Sequence, residues 1–439
     1  MDMFNLFREF PLDENSELFA YQTIDDTQNE FNNKDEATLY CQNKSEYLKF
    51  SKSYITFRVR IRNNNNTNIA ANEMVTFVNN IGVNAFKQLE LYGNNKKIED
   101  KEINGIRSLV DKLITYSDDY SKSTATSEFW FPDTSDQQEI NKYNLTYAAG
   151  PPISVTAAKN ANYNKGFHQR WIETRQSRYV WISVKLSDLF EFFKRETIFI
   201  GIEFRIVLTK NSVNNMIITT NDNGEYKIEF DRLSWRIPKY KPNDMAKDKL
   251  LSILSKSKAL KYEWEETKIE FHHLVQQRSV KFDIIGITRK PKYLYLVFQS
   301  IATLNSKTAN NMIFNHFNVE SITVKVDDQD FPPIECNFTA NDLNISQVYQ
   351  NFLEAGCKDL DVDTGTVVSK RHFASLYPIF CFNLDINKNQ SFEKLTNYLI
   401  KVSVNFSQNP AEAFQVYAMY KYDNELNINI ENGQMFIAN

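Results

Sequence analysis

The chain has 439 residues, of which 42% are hydrophobic and 24% charged, with a net charge of −4 and a pI near 5.9. That is the make-up of a globular protein with room for two domains of roughly 200 residues, each able to bury a core, and the acidic balance excludes a general polyanion binder. The 33 Phe and 22 Tyr suit β-rich packing, while Cys41, Cys336, Cys357 and Cys381 lack the CxxC or paired spacing of a metal site.

The N-terminus, MDMFNLFREFPLDEN, has no apolar h-region and carries acids early, so it reads as neither signal peptide nor membrane span. With few cysteines, this points to synthesis in a reducing, intracellular environment. Residues 1–40 read as a polar arm, in which Met3, Phe4, Phe7 and Phe10 form either a short amphipathic docking peptide or a frayed end. Strands then begin. In YITFRVRIR, residues Ile55, Phe57, Val59 and Ile61 alternate with Thr56, Arg58, Arg60 and Arg62, a half-buried strand with a cationic outer face. The turn NNNNTN follows, and LELYGNNKKIE reads as strand, turn and returning strand. Ile106, Leu109, Val110, Leu113 and Ile114 have the spacing of an amphipathic helix over 104–116. Residues 117–170 lack periodicity and read as a long inter-strand excursion.

Strand pattern returns at 179–186 and leads into SDLFEFFKRETIFIGIEFRIVLTK, residues 187–210. Asp188 and Glu191 have capping-box spacing for a short helix. Beyond it Ile200, Ile202, Phe204, Ile206 and Leu208 share one face of an extended segment, with Glu203 and Arg205 on the other. WRIPKYKPND, with Pro238 and Pro242, marks a domain boundary, followed by a helical piece with Leu250, Ile253 and Leu254 on one side. The second half repeats the strand logic in YLYLVFQS (293–300), SITVKV (321–326), LYPIFCFNL (376–384) and LIKVSVNFS (399–407). Cys381 lies inside the third of these runs as a small buried hydrophobe. Many short strands on both sides of one linker argue for an all-β chain of two antiparallel sandwiches.

Four blocks, in order, resemble double jelly-roll major capsid proteins, the fold shared by adenovirus hexon, Maverick/polinton elements and virophages. They are FVNNIGVNAFKQLELYGNNKKIE with its following helix, SDLFEFFKRETIFIGIEFRIVLTK, ITRKPKYLYLVFQS and NHFNVESITVKVDDQDFPP, with a weaker echo in YPIFCFNLDINKNQ. Lys194 and Arg195 stand where the family often has acids, and Asp327-Asp328 where an Asn is common. The resemblance implies two consecutive antiparallel jelly-roll β-sandwiches with a few short helices: an arm at 1–40, a first roll at 41–237, a linker at 238–262 and a second roll at 263–439. It implies a homotrimer whose capsomers contact one another in a virion shell around DNA, with penton and minor capsid proteins as partners. It implies no cofactor and no sequence-specific nucleic-acid binding, leaves membrane contact open, and at this length suggests short surface towers.

Chemistry of other kinds finds little support. There is no Gly-x-Ser-x-Gly elbow, phosphate-binding glycine loop or His-Glu-x-x-His, and His272 and His273, adjacent in a strand, point to opposite faces. DLDVDTG places Asp359, Asp361 and Asp363 like the start of a calcium loop, but glycine comes one place late at Gly365 and Lys370 stands where a bidentate Glu is needed. A solvated acidic turn is the competing reading. The arginine face meets either nucleic acid or, more in keeping with the charge, solvent or an acidic subunit. The alternatives of another class are a two-sandwich protein binding a carbohydrate or protein ligand, and a β-sandwich hydrolase, which would need a distinctive carboxylate pair.

Overall fold

The computed structural model describes residues 16–26, 30–43, 45–144, 158–245, 247–248, 252, 259–327, 329–339, 343–357, 365–385, 397–429 and 435–437. Its first eight principal strands are β1 (Ser16–Asp25), β2 (Glu36–Cys41), β3 (Tyr54–Asn63), β4 (Phe86–Gly93), β5 (Lys96–Glu102), β6 (Val180–Lys185), β7 (Phe204–Lys210) and β8 (Tyr226–Pro242). They form two antiparallel sheets, ordered β1-β8-β3-β6 and β2-β7-β4-β5. The second half supplies β9 (Ala259–Leu274), β10 (Ser279–Ile287), β11 (Tyr293–Ser300), β12 (Val319–Val326), β13 (Gln329–Asp330), β14 (Phe380–Asn383), β15 (Tyr398–Phe406) and β16 (Phe414–Asn429). Their sheets run β9-β16-β11-β14 and β10-β15-β12-β13. Both halves thus pair their strands in the order 1-8-3-6 and 2-7-4-5. This is a jelly roll used twice, with no sequence repeat to announce it.

Local sequence explains most of these strands. Along β3 every second residue, from Ile55 to Ile61, is buried, and in β15 Ile400, Val402, Val404 and Phe406 go inward, as period-two patterning requires. The β4–β5 hairpin turns through Asn94 and Asn95, both at positive φ, the geometry that two-residue hairpin turns favour because it matches strand twist. Helix α1 (Asn104–Thr115) follows the amphipathic pattern read over 104–116.

Several expectations are corrected. Within the supposed arm 1–40, β1 pairs with β8 from Ser16 to Asp25 and β2 pairs with β7. β1 is missed because its side chains are mostly exposed, so backbone pairing rather than apolar periodicity defines it. β8 continues through Pro238 to Pro242, past the boundary placed at 237, and β9 already begins at Ala259. The prolines sit in the outlying end of a long strand rather than ending it. Asp188 caps nothing: it lies inside the short helix Leu186–Leu189. β7 starts at Phe204, because Gly201 at φ +69 breaks the extended run and leaves Ile200 outside at 37% exposure. The described parts of the excursion, 117–144 and 158–170, carry short helices at 118–122 and 124–128 and the start of α2 (Lys165–Thr174). The apolar helical piece at Leu250, Ile253 and Leu254, and the N-terminal Met3, Phe4, Phe7 and Phe10, fall outside the described residues.

Aromatic rings fill the two cores and tie them together. In the first roll Phe50 packs edge-on to Phe204 at 4.8 Å and against Trp235 at 5.6 Å, geometries that aromatic pairs prefer. Tyr262 and Trp264 of β9 belong to this same cluster, reaching Phe192 at 4.6 and 5.1 Å. Conversely, Ile106, Leu109, Val110, Leu113 and Ile114 of α1 pack into the core of the second roll. The halves are therefore interlocked, each contributing side chains to the other's core.

Candidate functional site

Described His, Cys, Asp and Glu residues form no group of three or more suited to a metal. Asp359, Asp361 and Asp363 lie outside the described residues. Downstream of them, Gly365 has φ +80 and the Lys370 ammonium donates to Ser346 Oγ at 2.8 Å. His272 stacks on Phe282 at 4.7 Å while His273 faces outward against Phe271. Cys381 is buried, and burial pushes its thiol up. The features that stand out are a polar seam between the rolls and the charged outer sheet faces.

The centre of the seam is Glu191, which the sequence presents as a helix cap. Its side chain is 1% exposed. It accepts from Lys101 Nζ at 2.7 Å, from the Arg107 guanidinium at 3.3 Å, and from the Thr267 N–H and hydroxyl at 2.6 and 2.7 Å. The first two donors belong to the first roll and Thr267 to β9 of the second. Burial alone would raise this carboxyl, but Lys101 and Arg107 outweigh it and hold it well below the usual range. Beside it, Asp111 of α1 bridges Lys194 at 2.9 Å and Lys421 of β16 at 3.1 Å, a second ionic tie across the seam.

Glu99 completes the cluster, accepting from the Phe192 N–H at 2.8 Å and lying 3.4 Å from Lys101. Burial pushes it up to about 7 despite that lysine, with Glu266 and Glu191 adding repulsion. The folded protein therefore keeps a proton on Glu99 that the unfolded chain, near 4.5, has released. The sign follows: with more protons bound in the folded state, stability falls as pH rises from about 4.5 to about 7. Glu99→Gln is expected to flatten that decline, checked by chemical denaturation at several pH values across the window; an unchanged slope would assign it to other groups.

A second buried hub sits in the former excursion. Asp133 and Arg170 are fully buried and 2.7 Å apart. Arg170 also donates to the carbonyls of Phe77 at 2.9 Å and Phe131. Asp133 accepts from Asn164 at 2.9 Å and, across the seam, from Asn310 at 2.9 Å, while its carbonyl accepts from Tyr377 Oη at 3.1 Å. One ion pair thus fixes α2, the excursion and the second roll together. Periodicity could not find it, because its members are isolated polar residues in an aperiodic segment.

On the outer sheet the arginine face is partly neutralised within the chain. Arg58 pairs with Asp231 and Arg60 with Glu229 at 2.7 Å, both acids lying opposite on β8. Arg58 and Arg60 also cover the Tyr179 ring, each at 4.2 Å. A groove of about 490 Å³ opens where Trp130, Phe131 and Pro132 meet Val367, His372 and Tyr377.

The family model for a double jelly roll-like domain matches residues 142–422. Among solved structures, a chain of the Sputnik virophage determined by cryo-EM is similar over 99% of this chain and 91% of its own, at 12% identity and a TM-score of 0.61. The quasi-atomic model of the PBCV-1 virus capsid gives 99% and 98% coverage, 11% identity and a TM-score of 0.55. The Faustovirus major capsid protein gives 96% and 92%, 8% identity and 0.52. At these identities the likeness is one of fold. No curated protein matches at the level of sequence.

Proposed function

The chain belongs to the double jelly roll-like family, and from that membership we propose that it is a viral major capsid protein, an assembly protein rather than an enzyme. Three copies close into a pseudo-hexagonal capsomer, and capsomers tile an icosahedral shell enclosing a DNA genome, with a penton protein at the vertices and minor capsid proteins as further partners. The observation that carries this reading is the pair of jelly rolls with one topology, locked by a buried, ion-paired seam. Such a chain offers two similar rolls fixed together, and repeated heterologous contacts between such units close into a ring where the rotation between copies closes. The total charge of −4 supports a reading in which other proteins condense the genome.

Light scattering after size exclusion tests it, followed by negative-stain imaging of the peak. A particle near three times 51.4 kDa with a hexagonal outline, or larger shells, is the expected result. A stable 51.4 kDa monomer at high concentration would overturn it in favour of a two-sandwich protein binding a carbohydrate or protein ligand.

A further inference from the structure

The groove of about 490 Å³ between Trp130, Phe131 and Pro132 of the first half and Val367, His372 and Tyr377 of the second is far larger than the water-sized voids that ordinary packing leaves. Its volume lies in the range of small-molecule sites, roughly 300–1,000 Å³, and its accessible lining is mostly apolar. One wall is fixed in advance. Helix α2 lies directly on the 131–132 backbone at Gly166, where an added Cβ would come within 2.3 and 2.6 Å of the Pro132 and Phe131 carbonyl oxygens. Arg170 holds the same segment through the Phe131 carbonyl and Asp133. A wall that needs no ordering spares a bound molecule that cost.

The polar groups of the aromatic walls are paired within the chain. Trp130 Nε1 donates to Ser121 Oγ at 3.0 Å, and Tyr377 Oη donates to the Asp133 carbonyl at 3.1 Å. Of the charged side chains at the groove, Asp133 is paired with Arg170 and Lys122 with Asp118. Burial, and after it Arg371, holds His372 below its usual range, so its ring is neutral near pH 7. Lys165 is different: it is exposed at the groove's edge, and among the described residues its ammonium meets no carboxylate. An apolar interior therefore stands beside one uncompensated positive charge.

We propose that this groove is a binding site for a free fatty acid, with the alkyl chain along Trp130, Phe131 and Val367 and the carboxylate at Lys165. Aromatic walls with no unpaired donor select a hydrocarbon body, because a polar one would lose its water and gain no partner there. The single free cation selects a head with one negative charge. Since the two walls come from different halves of the chain, the bound acid spans the seam and stabilises the folded protein by mass action. The groove lies within one chain, so the site stands apart from the capsid reading.

Isothermal titration calorimetry of the full chain with hexanoate, octanoate, decanoate and decanol, each dissolved as monomer, tests the site. Affinity for the acids is expected to rise roughly fourfold with each added methylene, the gain from burying one, and decanoate is expected to raise the melting temperature. Lys165→Glu, a change at an exposed position, is expected to weaken decanoate by about fivefold and to leave decanol unaffected. Val367→Trp and Thr126→Trp each put an indole into the groove, from the second half and the first, and are expected to abolish binding of both compounds. No binding of the acids, or an affinity that does not grow with chain length, overturns the proposal. Decanoate that binds Lys165→Glu as it binds wild type removes Lys165 as the anchor of the carboxylate, and binding that survives both tryptophan variants removes the groove. Attachment to phosphatidylcholine vesicles without binding of free decanoate makes the groove a membrane contact and overturns the free acid as its ligand. Melts near the wild-type value confirm folding of the variants; should Val367→Trp fail to fold, Thr126→Trp, at an exposed position, decides alone.

Discussion

Glu191→Ala is expected to be among the most damaging single changes in the chain. It removes the acceptor for Lys101, Arg107 and the Thr267 N–H, and the two cations left behind are 3% and 2% exposed. Truncating one partner of a buried ionic cluster costs about 3–5 kcal/mol, because the remaining charges stay desolvated. Against a typical total of roughly 5–15 kcal/mol, that is enough to lower the yield of folded protein. The loss should also be local to the seam. With Thr267 released, the two rolls lose a tie, and calorimetry should show a broader or split transition where wild type shows one. Glu191→Gln keeps an acceptor for Thr267 but not the charge, and should fall between the two. A Glu191→Ala protein that melts with wild type would show that the apolar interlock alone holds the seam.

The second large effect is expected at Arg170. Arg170→Ala strands the fully buried Asp133 and deprives the carbonyls of Phe77 and Phe131 of a donor. The expected cost is again about 3–5 kcal/mol, with a further contribution from the unsatisfied carbonyls. Because Asp133 also takes Asn310 from the second roll, segment 131–144 should loosen from both rolls at once. Limited proteolysis should cut there faster than in wild type. A double-mutant cycle with Asp133→Asn should return a coupling of roughly 0.5–3 kcal/mol, the range for residues in direct contact. Additive effects would mean that the ion pair contributes little and that Arg170 acts through its carbonyl contacts alone.

These two sites mark the limit of what periodicity reveals. The sequence around Glu191 has a recognisable local pattern, S-D-L-F-E, and local rules read its acids as caps. The structure spends Glu191 instead on donors up to 90 residues away in sequence, a contact that no local spacing encodes. Asp133 and Arg170 fare worse, since they stand 37 positions apart in a stretch whose sequence shows no regular pattern. β1 escaped for a different reason: it is an outer strand with little apolar burial, and only its pairing with β8 gives it form.

By itself the sequence determined the elements that depend on near neighbours. Alternation gave β3, β12 and β15, and the i, i+3, i+4 spacing gave α1, because side-chain direction in a strand or helix is set by backbone period; the Gly93-Asn94 signal gave the hairpin, whose turn the structure sets one residue on, at Asn94-Asn95. The order of its blocks also determined the family resemblance, since each block is a local element in a fixed succession. Only the tertiary structure decided how the halves relate: that β8 and β9 overrun the expected linker, that Glu191 and Asp133 bridge the rolls, and that α1 is buried between them. These are contacts between residues distant in sequence, fixed by which faces meet on packing, and the pattern within one element is the same whichever face it meets.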